Sequence, residues 1–111
     1  MAVQAINVVR FSVTILVALS GEAVKAASNA VEVGHKIVTT KCASCHAVGS
    51  TGTSPLNAAP RFRDLHLRYD VEVLSEALVE GIMTAHPAMP QFVFSAGDAG
   101  AIIAYLKSLD Q

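Results

Sequence analysis

The pentapeptide Cys42-Ala43-Ser44-Cys45-His46 limits what this chain can become more than any other stretch of its 111 residues. Its thiols are the only two in the sequence. C-x-x-C-H is the pattern of covalent c-type haem attachment. Each residue type has a task in that chemistry. The two thiols add across the two vinyl groups of one porphyrin, and two intervening residues set the reach this requires. A histidine directly after the second anchor is carried under the iron as proximal ligand.

Three other uses of such a pentapeptide fit less well. A disulfide between thiols this close in sequence closes a small loop, constrains the unfolded chain little and is often strained. Structural zinc takes four ligands, and no second ligand pair at matching spacing exists, while Cys45 and His46 are adjacent and awkward as joint ligands. A thioredoxin-like redox pair belongs near a βαβ pattern, whereas the flanks here read as helix.

The leading segment reads as an export signal and not as fold. Arg10 precedes the uncharged, largely apolar run Phe11 to Gly21, and small residues follow at Ala23, Ala26, Ala27 and Ser28. That is the order of a secretory signal peptide. The run is short of the ~20 apolar residues that a membrane-spanning helix needs, so an uncleaved anchor is the lesser alternative. The expected division is residues 1–27 as signal, with cleavage after Ala26 or Ala27, and residues 28–111 as one small domain. The 52% hydrophobic content is partly this segment. From Ser28 onward, Lys36, Lys41, Arg61, Arg63, Arg68 and Lys107 face eight acidic residues, a formal −2. That balance argues against a nucleic-acid partner. A domain this short buries only about 60% of its unfolded surface, so a covalently held porphyrin would supply both core and cross-link.

Periodicity predicts three helices and no strand long enough to trust. The first spans about 31–41, with Asn29 as N-cap and Glu32 at capping-box spacing. Val31, Gly34, Ile37 and Val38 share one side of it. The second spans about 71–83, with Leu74, Leu78 and Ile82 as its apolar stripe and Glu72, Glu76 and Glu80 on another face. The third spans about 98–109, with Ser95 as cap and Ile102, Ile103, Tyr105, Leu106 and Leu109 inward. Residues 49–60 and 86–94 read as loops from their glycines and prolines.

A haem held by His46 needs a sixth ligand. Met89 lies in His86-Pro87-Ala88-Met89-Pro90, where the two prolines keep their preceding residues out of the α region. An extended loop is a suitable way to present a thioether to the far face of a flat cofactor. Met83 fits core packing better, His86 is the next choice after Met89, His35 is too near the attachment site, and His66 sits among solvated charges.

These features together resemble the small class I cytochromes c across nearly all of residues 28–111. The carrying features are Gly34 eight residues before Cys42, the attachment motif, the Met89-Pro90 loop and the final helix with Ile103-Ala104-Tyr105-Leu106-Lys107. The resemblance implies an all-α fold of three or more helices around one covalently attached haem c, with Gly34 and Tyr105 at a helix crossing. It implies that the carbonyl of Pro60, in Ala59-Pro60-Arg61-Phe62, accepts the His46 ring N–H, with Pro55 the lesser alternative. Haem-binding residues are then Cys42, Cys45, His46, Met89 and Pro60, with His46 and Met89 on the iron. The chain departs from the mitochondrial pattern in lacking tryptophan and in carrying Val38 where an aromatic is common. Arg61, Arg63 and Tyr69 are the propionate candidates. The expected function is a periplasmic, non-enzymatic carrier of single electrons between redox protein partners, with no stable membrane insertion after signal cleavage. A haem-bearing subunit of a larger dehydrogenase is the alternative, and a small peroxidase or gas-binding protein the third.

The attachment motif sets the first test. Colour should stay with the polypeptide through acid-acetone extraction and denaturing electrophoresis, and Cys45→Ala should lose most of the holoprotein. Haem that extracts from the unmutated chain would contradict the reading.

Overall fold

The computed structural model describes residues 4–81 and 88–110, with side chains from Gly21 onward. Helix α1 runs from Gln4 to Lys41, α2 from Leu74 to Glu80 and α3 from Ala96 to Ser108. Two 3₁₀ segments, Phe62–Leu67 and Val71–Val73, lie between α1 and α2. Among the described residues there is no strand. The all-α expectation is met.

Helix α1 differs from its expected start. Asn29 is interior to a continuous helix and does not cap one. The stretch before it, Glu22 to Ser28, contains three alanines and no proline, so helix propagates through it at low cost. Among residues whose side chains are described, no helix is long and apolar enough to cross a membrane.

The second helical region splits. Asp70 adopts an extended conformation and its carboxylate accepts the Glu72 N–H, which starts a 3₁₀ turn at Val71. The α-helix proper begins only at Leu74 and stops at Glu80, because Gly81 takes φ +94°. The expected extension through Ile82 and Met83 falls outside the described residues. Helix α3 starts two residues earlier than its periodicity suggests, and Ser95 caps it, its hydroxyl accepting the Asp98 N–H at 3.1 Å.

The core forms where α1 and α3 cross. Val38, Ile102, Ile103, Tyr105 and Leu106 bury together with Leu65 and Val71 from the 3₁₀ segments. Leu74 and Leu78 of α2 pack against this cluster, leaving Glu72, Glu76 and Glu80 exposed. Burial of apolar area drives this assembly, at about 25 cal/mol per Å². Gly34 is the point of closest approach. A Cβ there would overlap the Ala101 carbonyl and lie 2.9 Å from the Tyr105 Cβ. Val38 is fully buried and fills a position where a larger ring is absent. The Tyr105 hydroxyl donates to the Val48 carbonyl at 2.7 Å, which ties α3 to the loop after the attachment motif. Burial raises the Tyr105 pKa, so the phenol stays a proton donor.

Charge pairs add little to this frame. Lys107 of α3 bonds Glu72, which raises the lysine pKa through the hydrogen bond first and the Coulomb attraction second. The pair is exposed on both sides, where water and salt screen it. His66 reaches Asp110 at 3.1 Å, consistent with its expected place at the surface.

The crossing sets the second test. Gly34→Ala forces backbone apart at a site with no flexible neighbour, and overpacking of this kind costs about 1–3 kcal/mol. Guanidinium denaturation of the holoprotein should show a lower midpoint with an unchanged slope.

Candidate functional site

Helix α1 delivers the attachment motif. Its last turn is extended by Cys42 N–H and Ala43 N–H, both donating to the Val38 carbonyl at 2.9 and 3.1 Å. Cys45 N–H and His46 N–H then both donate to the Cys42 carbonyl at 3.1 and 3.0 Å, closing a tight turn. The two thiols are half-buried and unbridged. Burial in apolar surroundings pushes the Cys42 thiol up to about 11.

Residues 47–62 fold back onto this turn. Leu56 N–H donates to the Cys45 carbonyl and Phe62 N–H to the Ala47 carbonyl, each at 3.0 Å. Between these two ties, the Pro60 carbonyl oxygen lies 2.7 Å from His46 Nδ1. A carbonyl can only accept, so Nδ1 carries the proton and Nε2 is left as the lone-pair nitrogen. A bond of this kind fixes the tautomer and ring orientation and raises the basicity of the ring as a ligand. The Phe62 ring, with its centroid 5.0 Å from that of the imidazole, closes one side of it. Pro55 is exposed and takes no part in this bond.

An apolar cleft of about 280 Å³ opens beside the motif. Cys42, Cys45 and His46 line it together with Leu56, Ala59 and Pro60 from the loop. The segment before α3 adds Met89, Pro90 and Phe92. Four of the five expected site residues are thus joined in one cleft by the folding of a single short loop, and Met89 comes to the same cleft from more than forty residues downstream. Phe92 is a lining residue that periodicity missed, because an aromatic in an irregular segment carries no helical or strand signal. It stacks on Phe94 at 5.7 Å between ring centroids. Met83 and His86 lie outside the described residues. His35 sits against Tyr105, with 5.0 Å between ring centroids, and does not line the cleft.

The propionate candidates lie outside the wall of this cleft. Arg61 pairs with Asp64 at 2.6 Å, and Arg63 donates to the Gly52 carbonyl at 2.6 Å. Tyr69 is exposed, and none of the three lines the cleft.

The donor set fits a covalently bound porphyrin. Two unbridged thiols, an imidazole with its Nε2 free to ligate and an apolar wall for a flat ring converge on one cleft. Residues 31–110 match the family model described as Cytochrome c. The chain belongs to the cytochrome c family. It is similar to the protein named Cytochrome c-552 from Bradyrhizobium diazoefficiens, at 38% identity over 68 residues, or 61% of this chain and 64% of that relative. The chain thus spans just under two thirds of the relative it matches. No solved structure matches it. Covalently attached haem c is the cofactor of this cytochrome c domain, and Cys42 and Cys45 are the pair that fits its attachment.

The segment bearing Met89 is fastened where it returns to the helices. Phe94 N–H donates to the Leu78 carbonyl at 2.9 Å. A Cβ at Gly81 would lie 2.7 Å from Gln91 Nε2 and 3.3 Å from Val93 Cγ2. The backbone there, at φ 94° and ψ 112°, belongs to a region that side chains other than hydrogen rarely enter, and forcing them in costs of order 1–3 kcal/mol. Gly81→Ala should therefore lower the thermal midpoint of the holoprotein, read by circular dichroism. An unchanged melt would mean the chain can relax this turn freely.

Proposed function

We propose that this cytochrome c is an exported electron carrier whose single haem iron is ligated by His46 and Met89. The observation that supports it most is the presence of Met89 in the wall of the same apolar cleft as Cys42, Cys45 and His46. Pro60 orients the imidazole through its carbonyl. Pro90 and the half-buried Phe92 line the cleft beside the thioether. The bound haem supplies a one-electron couple, whose potential is set by axial ligands, nearby hydrogen bonds and burial. A thioether ligand and apolar walls raise that potential, because both disfavour the extra charge of the oxidised iron.

Export follows from the sequence order at the N-terminus, with residues 1–27 as the signal and a periplasmic destination. Its partners are then other redox proteins, one giving and one taking an electron. A carrier of this kind needs no acid–base pair in the site.

The sixth ligand decides between carrier and catalyst. The oxidised protein should show a weak far-red band from sulfur-to-iron charge transfer, and the reduced protein should resist carbon monoxide. Met89→Ala should abolish the band, lower the potential, admit carbon monoxide and confer peroxidase-like turnover. If His86→Ala gives that phenotype and Met89→Ala leaves the spectrum intact, the ligand is His86. Ready carbon monoxide binding by the unmutated protein would replace the carrier reading with that of an enzyme or sensor.

A further inference from the structure

The bond from His46 to Pro60 depends on a loop that has to be held in register, and of the ties that flank the histidine one is made by a side chain. Ser54 Oγ accepts the Ala47 N–H at 3.0 Å, directly after the ligating residue in sequence. Ala47 is 8% exposed, so water cannot readily replace that acceptor. The same residue uses its carbonyl to hold Phe62 N–H at 3.0 Å, two residues beyond Pro60. Ala47 therefore links the two strands of the loop: its N–H is held by Ser54 and its carbonyl holds the end of the Pro60 segment. Arg63 holds the tip of the loop from outside, donating to the Gly52 carbonyl at 2.6 Å. Gly52, at φ +87°, makes the turn that lets the chain double back to Ser54.

We propose that Ser54 is a positioning residue for the proximal imidazole: by holding Ala47 it keeps the Pro60 carbonyl at hydrogen-bonding distance from His46 Nδ1, and so tunes the haem potential without touching the haem. The inference rests on His46 being the iron ligand. Its physical basis is the steep distance and angle dependence of a hydrogen bond, which weakens sharply outside 2.7–3.2 Å. A looser bond makes the imidazole a weaker electron donor. The oxidised iron is then less stabilised and the potential rises. This direction is opposite to that expected from loss of Met89, so the two effects are separable.

The test compares holoproteins carrying Ser54→Ala, Ser54→Thr and Ser54→Val. The last two have the same shape and differ by the hydroxyl. Ser54→Ala and Ser54→Val should raise the midpoint potential relative to the unmutated protein. They should also speed solvent exchange of the His46 ring N–H, followed by NMR of the reduced state, by roughly threefold to tenfold, the factor that one net hydrogen bond of about 1 kcal/mol implies. Ser54→Thr should restore both. Lower stability in Ser54→Ala with potential and ring exchange unchanged would overturn the proposal, leaving Ser54 a structural residue only. If Ser54→Ala does not accumulate, the Thr and Val pair makes the same distinction, and equal potentials in that pair overturn the proposal. Failure of the underlying reading looks different: a His46 ring N–H without the large porphyrin ring-current shift in the reduced, unmutated protein means that His46 is not the ligand.

Discussion

At Gly34 the backbone of α1 meets α3 with no side chain between them, and the Ala101 carbonyl fills the space a Cβ would need. That contact fixes the distance between the two helices and the height at which α1 ends. The attachment motif begins at the first residue after α1, so its position in space is inherited from the crossing. Tyr105, on the next turn of α3, reaches across and holds the Val48 carbonyl, which secures the first residues after the motif. A helix–helix contact thus becomes a constraint on the site through the last two turns of α1.

From there the site is built by local backbone bonds more than by packing. The cleft residues on the motif side are connected through Cys45–Leu56, Ala47–Phe62 and Ala47–Ser54, all at 3.0 Å. Such a loop has few buried apolar contacts of its own, and its order comes from satisfying backbone groups that would otherwise be left dry. The arrangement keeps polar groups behind the imidazole and apolar ones in front of it. For an iron ligand, the first sets basicity and the second keeps water away.

The helical readings failed where competing local chemistry was close in strength. Asn29 followed by Glu32 is a sound capping pattern, yet a helix already running through the alanines of residues 23–27 has no reason to restart there. Val71 has the right apolar spacing to open a helix. Asp70 nevertheless caps the Glu72 N–H, so the first turn winds as 3₁₀ and the α-helix is delayed to Leu74. Gly81 then ends it sooner than the stripe of leucines suggests, since spacing carries no information about a positive φ.

The sequence by itself determined the covalent chemistry, because the C-x-x-C-H spacing is short enough that local geometry alone brings both thiols and the imidazole together. It also determined the helical faces, since the core residues of α3 recur at a period that leaves one buried side. Tertiary structure brought the Pro60 carbonyl, which the resemblance already preferred over Pro55, to 2.7 Å from His46 Nδ1, added Phe92 to the cleft and sent Arg63 to the Gly52 carbonyl. Both prolines lie in one irregular loop, and neither Phe92 nor Arg63 carries a periodic signal. What separates the two prolines is the hydrogen-bonded return of residues 47–62, a set of contacts between positions far enough apart that no local pattern encodes them.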